Sequence, residues 1–151
     1  MPNLVKKFLS KKELDEIAGA IAEAEKRTSG EIRVSIRQKR SRKERSLSVE
    51  QLARHEFVHL GMMKTEQRTG ILIFILLDAR EFFILADEHI NQKVEPDTWK
   101  KIADSMATRF AKKEFLLGLL MTVRSVGDHL AKHFPPAADN RNELPDKVEI
   151  S

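Results

Sequence analysis

Hydrophobic and polar positions follow two periods along the chain, and the changes of period mark its elements. Leu14, Ile17, Ala18, Ile21 and Ala22 recur at helical spacing behind a capping box of Ser10 and Glu13, and Thr28-Ser29-Gly30 stops the run. Residues 31–37, EIRVSIR, switch to strict alternation with Ile32, Val34 and Ile36 on one face, the pattern of a strand. A second capping box, Ser48 with Gln51, opens a helix that carries Val49, Leu52, Ala53, Phe57 and Leu60 and ends at Gly61. Residues 71–77, ILIFILL, are an unbroken apolar run of strand length, suited to a central strand buried on both faces. After the polar link DARE at 78–81, a second apolar run at 82–86 predicts a β-hairpin closed by a type I turn. Pro96-Asp97-Thr98 predicts a third helix start, with Trp99, Ile102, Ala103, Met106 and Phe110 on its inner face. A fourth helix over 115–133 is apolar nearly all round in its first half, which is expected to be deeply buried, and Pro135-Pro136 ends it.

Strand, helix and strand in that order form a βαβ unit with a right-handed crossover, and the hairpin adds an antiparallel strand. The expected fold class is therefore α/β, with a mixed central sheet and about four main helices. One domain is expected over residues 1–134, with a polar tail over 135–151 packed on it or trailing from it. A chain of 151 residues is long enough for one substantial core. It has no cysteine, so disulfides and thiolate metal sites are excluded. The N-terminus lacks the continuous apolar core of a signal peptide, and no run approaches the length of a membrane span. A cytoplasmic monomer is the expectation.

The net charge of +4 is concentrated at residues 37–45, RQKRSRKER, where Glu44 is the only acid. Such a block reads as a solvated, mobile loop or as a nucleic-acid contact, and no aromatic stacking platform surrounds it. His55-Glu56-Phe57-Val58-His59 matches the H-E-x-x-H signature of zinc peptidases. Three features oppose a zinc site. Both histidines fall to one side of the predicted buried face, Thr65 stands where a third histidine ligand would be, and the chain is small for a protease cleft. No dinucleotide-binding glycine motif, Walker loop or nucleophile elbow is present.

Taken in order, several short motifs resemble the TPM domain family, named from a thylakoid lumen protein, a photosystem II repair protein and a worm receptor-modulating protein. They are residues 28–34, TSGEIRV; Leu60-Gly61-Met62 with Thr65 and Arg68; Gly70-Ile71-Leu72-Ile73; Ala86-Asp87; Trp99, Phe110, Gly118 and Gly127; Phe134-Pro135; and residues 142–146, NELPD. The likeness is greatest to the small bacterial branch without a membrane anchor. It implies a three-layer α/β/α sandwich, binding of a divalent cation, and the acid phosphatase activity proposed for plant members. Two departures stand out: Thr69 replaces an expected asparagine, and His89 an expected glycine.

In the predicted topology Glu31, Arg68 and Asp87 share one end of the sheet, and the loop from Asp87 leads to Asp97. Glu31, Asp87 and Asp97 are thus candidate hard-oxygen ligands for calcium, ahead of magnesium, with Arg68 as a candidate anion contact. Equally, Glu31 pairs with Arg68 and Asp97 only caps its helix. The opposite end offers Asp78 and Arg80 as a second choice, favoured by the rule that open α/β sheets bind beyond the carboxyl ends of their parallel strands. Asp139, Asn142, Glu143 and Asp146 of the tail are further oxygen donors. The leading expectation is a non-enzymatic domain that binds a divalent cation and a protein or membrane-associated partner. The alternatives are a metal-dependent acid phosphatase and a nucleic-acid binder acting through residues 37–45.

Overall fold

The computed structural model describes residues 3–65, 67–136 and 145–151. The elements run α1 (Asn3–Lys6), α2 (Lys11–Glu25), β1 (Glu31–Arg37), α3 (Val49–His59), β2 (Gly70–Leu76), β3 (Glu81–Ala86), α4 (Glu88–Asn91), α5 (Thr98–Ala111), α6 (Phe115–His133) and β4 (Glu149–Ile150). Both capping boxes are formed. The Ser10 hydroxyl accepts the Glu13 N–H at 3.1 Å and the Glu13 carboxylate accepts the Ser10 N–H at 2.9 Å. Ser48 and Gln51 exchange the same two bonds at 3.1 and 2.8 Å.

The sheet order is β3-β2-β1-β4, with β1 parallel to β2, β3 antiparallel to β2, and β4 parallel to β1. The βαβ unit and the hairpin are thus as the periodicity predicts. The hairpin turn closes with the Arg80 N–H on the Leu77 carbonyl at 3.2 Å, Arg80 taking a left-handed φ of 53°. All of β2 is buried, because its two faces serve two separate cores. Ile71, Ile73 and Ile75 join Ile32, Val34, Ile36 and Ile84 beneath α2, α5 and α6. Leu72, Phe74 and Leu76 join Leu85 against Leu52, Ala53 and Phe57 of α3. Helices therefore cover both faces of the sheet, in the α/β/α arrangement. Each such aliphatic side chain contributes roughly 1.5–3 kcal/mol by leaving water.

Two expectations are corrected. The first half of α6 is not wholly buried: Leu119 is fully enclosed, but Leu117 and Met121 are 43% and 45% exposed. That half is apolar around nearly its whole circumference, yet α2 and α5 cover only part of it. The basic block is not a loose loop. Arg37 is the last residue of β1 and grips Glu44 at 2.8 and 2.9 Å, while Arg40 donates to the Leu47 carbonyl at 2.9 Å and to Glu81 at 3.1 Å. Residues 42–44 form a 3₁₀ turn capped by Ser41. The tail supplies a further strand: Glu149 and Ile150 pair with Ser35 and Ile36.

This fourth strand explains an oddity of β1. Its second face carries Glu31, Arg33 and Ser35, all buried. Arg33 meets Glu149 at 2.6 Å, and the Ser35 hydroxyl donates to Glu56 of α3. A polar face is tolerated in the interior because partners arrive from α3 and from the tail. No helix among the described residues is long and apolar enough to cross a membrane.

Candidate functional site

The end of the sheet where β1 begins is built on residues 28–30. Thr28 donates its hydroxyl to the Phe134 carbonyl, the Gly30 N–H returns to the Thr28 hydroxyl at 3.1 Å, and the Ser29 N–H reaches the same Phe134 carbonyl at 3.0 Å. Gly30 is required by close approach: a Cβ there would lie 3.0 Å from a Leu130 methyl and 3.3 Å from the Thr69 carbonyl. The turn thereby locks the start of β1 to the end of α6. It also delivers Glu31 into the interior beside Glu25, the last residue of α2.

Glu25 Oε2 accepts the Ile32 N–H at 2.7 Å. Burial pushes the Glu25 carboxyl up from 4.5 to about 10, helped by hydrogen bonds to Asp146 and Glu31 and by the Glu31 charge, while the Ile32 N–H opposes the shift. Three carboxyls therefore meet: two from neighbouring parts of the chain, the end of α2 and the start of β1, and one from the distant tail. Burial favours the protonated form of Glu25, in which it can donate a hydrogen bond to a neighbouring carboxylate. Among the described residues no group of three or more His, Asp or Glu is arranged to hold a metal ion.

Of the residues singled out from sequence, Glu31 and Asp87 do lie at one end of the sheet. Glu31 registers with Gly70, and the Asp87 N–H reaches the Gly70 carbonyl at 2.9 Å from the other side. Arg68 pairs with Asp87 rather than with Glu31. Its Nε and Nη2 each lie 3.0 Å from a different Asp87 oxygen, and Asp87 Oδ1 also accepts the Glu88 N–H at 2.7 Å. These hydrogen bonds, and then the Asp87 charge, raise the Arg68 pKa. Arg68 makes this reach with a left-handed φ of 58°, a conformation uncommon for a non-glycine residue. Asp97 stands at the N-cap of α5, exposed, and its side chain makes no capping bond. At the far end Asp78 is exposed and the Arg80 guanidinium lies over the Phe8 ring, 4.7 Å from its centroid. Asp139, Asn142 and Glu143 lie outside the described residues.

His55 and His59 are exposed on α3, whereas Glu56 between them points inward to Ser35. The would-be base of H-E-x-x-H therefore faces away from the histidines, spent on a buried contact. Glu25 is the residue sequence reading missed. Its signal was present: the inner stripe of α2 runs Leu14, Ile17, Ile21, Ala24, and Glu25, one turn beyond Ile21, falls on the same face.

Residues 5–129 match the TPM domain. The fold is similar to that of the BA42 protein from the psychrophilic bacterium Bizionia argentinensis, with a TM-score of 0.84 and 33% identity over 95% of this chain and 96% of that one. It also resembles the N-terminal domain of a protein from P. gingivalis, with a TM-score of 0.65 over 84% of this chain and 79% of that one, at 18% identity, a likeness of fold alone. No curated protein matches. The matched span, the order of the motifs and the sheet they build agree: the chain belongs to the TPM domain family.

Proposed function

We propose that this TPM domain binds a divalent cation, calcium before magnesium, by rearrangement of the Glu25, Glu31 and Asp146 carboxyls, which are not already disposed to hold one, and that it serves a protein or membrane-associated partner rather than a reaction of its own. One observation carries the proposal: three carboxyls are gathered in the interior, where burial, and after it the neighbouring Asp146 and Glu31, raise Glu25 to about 10. Clustered hard oxygens repel one another when ionised, and a dication removes that penalty. Binding would exchange the cluster's proton for the ion, so uptake should release protons. Asn142 and Glu143 precede Asp146 closely in the chain and are further oxygen donors by residue type.

The phosphatase reading draws on a group that is otherwise engaged, and so are two of the six cations of the basic block on which the nucleic-acid reading rests. Arg68, the cation a phosphoryl group would need, gives two donors to Asp87. Arg37 and Arg40 of the basic block pair with Glu44 and Glu81. Titration of chelator-treated protein with calcium, magnesium and zinc, followed by amide NMR and by pH change in weak buffer, tests the proposal. Calcium should shift the amides of Glu25, Glu31 and Asp146 first and release protons. Glu31→Gln should abolish the response, and Asp87→Asn should leave it. A response centred on Asp87 and Asp97 instead would move the cation to the sequence-derived set and overturn this placement.

A further inference from the structure

Away from the carboxyl cluster, α5 and α6 leave a groove of about 410 Å³ between them, open to solvent. Its floor is apolar, with Ile102 and Met106 from α5 and Gly118 and Met121 from α6. Its charged lining is of one sign: Lys101, Arg109 and Lys112, with no acid among the lining residues. The two helices touch most closely at Gly118, where a Cβ would lie 3.1 Å from Arg109 Cβ and 3.2 Å from the Phe110 ring. That contact closes the base of the groove and leaves it shallow. Arg109 and Lys112 stand one helical turn apart, so their cations share one end of it, while Met106, Ile102 and Met121 continue away from them along the helices. Among the described residues Arg109 has only a long contact to Glu114, at 3.5 Å, which uses one of its five donors.

We infer that this groove binds a small amphiphilic anion, a single acyl-type chain ending in a carboxylate or phosphate. The volume falls in the small-molecule range, and a mainly apolar lining with a few convergent polar groups is the usual make-up of such sites. The head would sit between Arg109 and Lys112 and the chain would lie on Met106, Ile102 and Met121. Methionines suit a flexible chain because their thioethers adapt to its shape. Charge complementarity selects an anion over a neutral or cationic amphiphile.

Decanoate, kept below its micelle concentration, is the probe, with decanol, decyltrimethylammonium and acetate as comparisons. Methyl and amide NMR should show decanoate shifting Ile102, Met106, Met121 and Ser125, with half-saturation below about 1 mM. Acetate should do nothing, and the neutral and cationic chains should bind at least about tenfold more weakly. Arg109→Gln with Lys112→Gln should weaken decanoate by about tenfold or more, and Met121→Asp, at an exposed position, should abolish it. Melting curves of both variants establish that they remain folded. Equal binding of all three chains, shifts centred elsewhere, or wild-type affinity in either folded variant would overturn the proposal.

Discussion

Glu25 and Glu44 are two carboxyls moved in opposite directions, and the stability of the protein should record both. Glu25 rises from 4.5 to about 10, so the native state holds its proton more tightly than the unfolded chain does. Its contribution is complete below about pH 4.5 and is lost progressively as pH climbs toward 10. In chelator, denaturant midpoints should therefore fall between pH 5 and pH 9, and Glu25→Gln, which imitates the protonated form, should flatten the slope and be the more stable protein at the alkaline end. Unchanged slopes would mean the cluster is solvated. Glu44 is lowered to about 2, first by the Ser41 backbone N–H and then by Arg37, so its contribution is present above 4.5 and disappears as pH falls toward 2. The basic block should divide accordingly. Replacing Lys39, Arg42 and Lys43 with serine should stay within about 0.5 kcal/mol. Glu44→Ala should cost about 1–2 kcal/mol at pH 7, because it removes a cap and an ion pair together. Charge density alone suggested a loose loop. What it hid was that Glu44 lies three residues beyond Ser41, the spacing of a capping box, and within reach of Arg37.

At the scale of elements, α6 shows how far periodicity carries. Its limits at residues 115 and 133 were legible from Phe115 and from the prolines after Phe134, yet which flank faces solvent was not. The first half has no polar residue to mark the outside, and the stripe that does mark it, Arg124, Asp128 and Lys132, lies only in the second half. Leu119→Ala should cost roughly 2–5 kcal/mol, the range for a buried leucine, while Leu117→Ala should lie within about 0.5 kcal/mol of wild type. Equal losses at the two positions, measured by chemical denaturation, would refute this division of the helix. Gly127→Ala gives a further check. Alanine is the better helix former by about 1 kcal/mol, but its Cβ would come within 2.9 Å of Ala24 Cβ where α2 crosses α6. Overpacking should win, with a net loss of about 1–2 kcal/mol.

For the whole molecule, the strands of the βαβ-hairpin core were readable because each announces itself by alternation or by an unbroken apolar run. β4 was not, being two residues long in a polar tail, with no period to detect. Its presence is inferable only from the other side, since Arg33 on a buried strand needs an acid, and Glu31, two residues away on the same face, is hydrogen-bonded to Glu25. Arg33 is 3% exposed, Glu149 answers it at 2.6 Å, and Arg33 Nε has no hydrogen-bond partner among the described residues. Glu149→Ala should therefore cost roughly 1–3 kcal/mol, less than for a fully enclosed pair because Glu149 keeps some contact with water. The carboxyl cluster was half legible for the same reason: Glu31 sits at a strand end that topology locates, but its neighbours come from residues 25 and 146.

The order β3-β2-β1-β4 has a kinetic consequence. The strands β1, β2 and β3 join over short loops or one helix, whereas β4 closes on β1 only after a loop of more than 110 residues is shut. Long closures come late, because their entropy must be met before their contacts form. The tail strand, and with it Asp146, should dock after the rate-limiting barrier. Glu149→Ala and Asp146→Asn should thus accelerate unfolding and leave the refolding rate nearly unchanged, a φ-value close to zero, whereas Val34→Ala should slow refolding. Stopped-flow chevrons decide it: a slowed refolding limb in Glu149→Ala would place the tail in the nucleus. With late docking, a cation held at the cluster would act as a latch on the finished fold, lengthening its lifetime without hastening its formation.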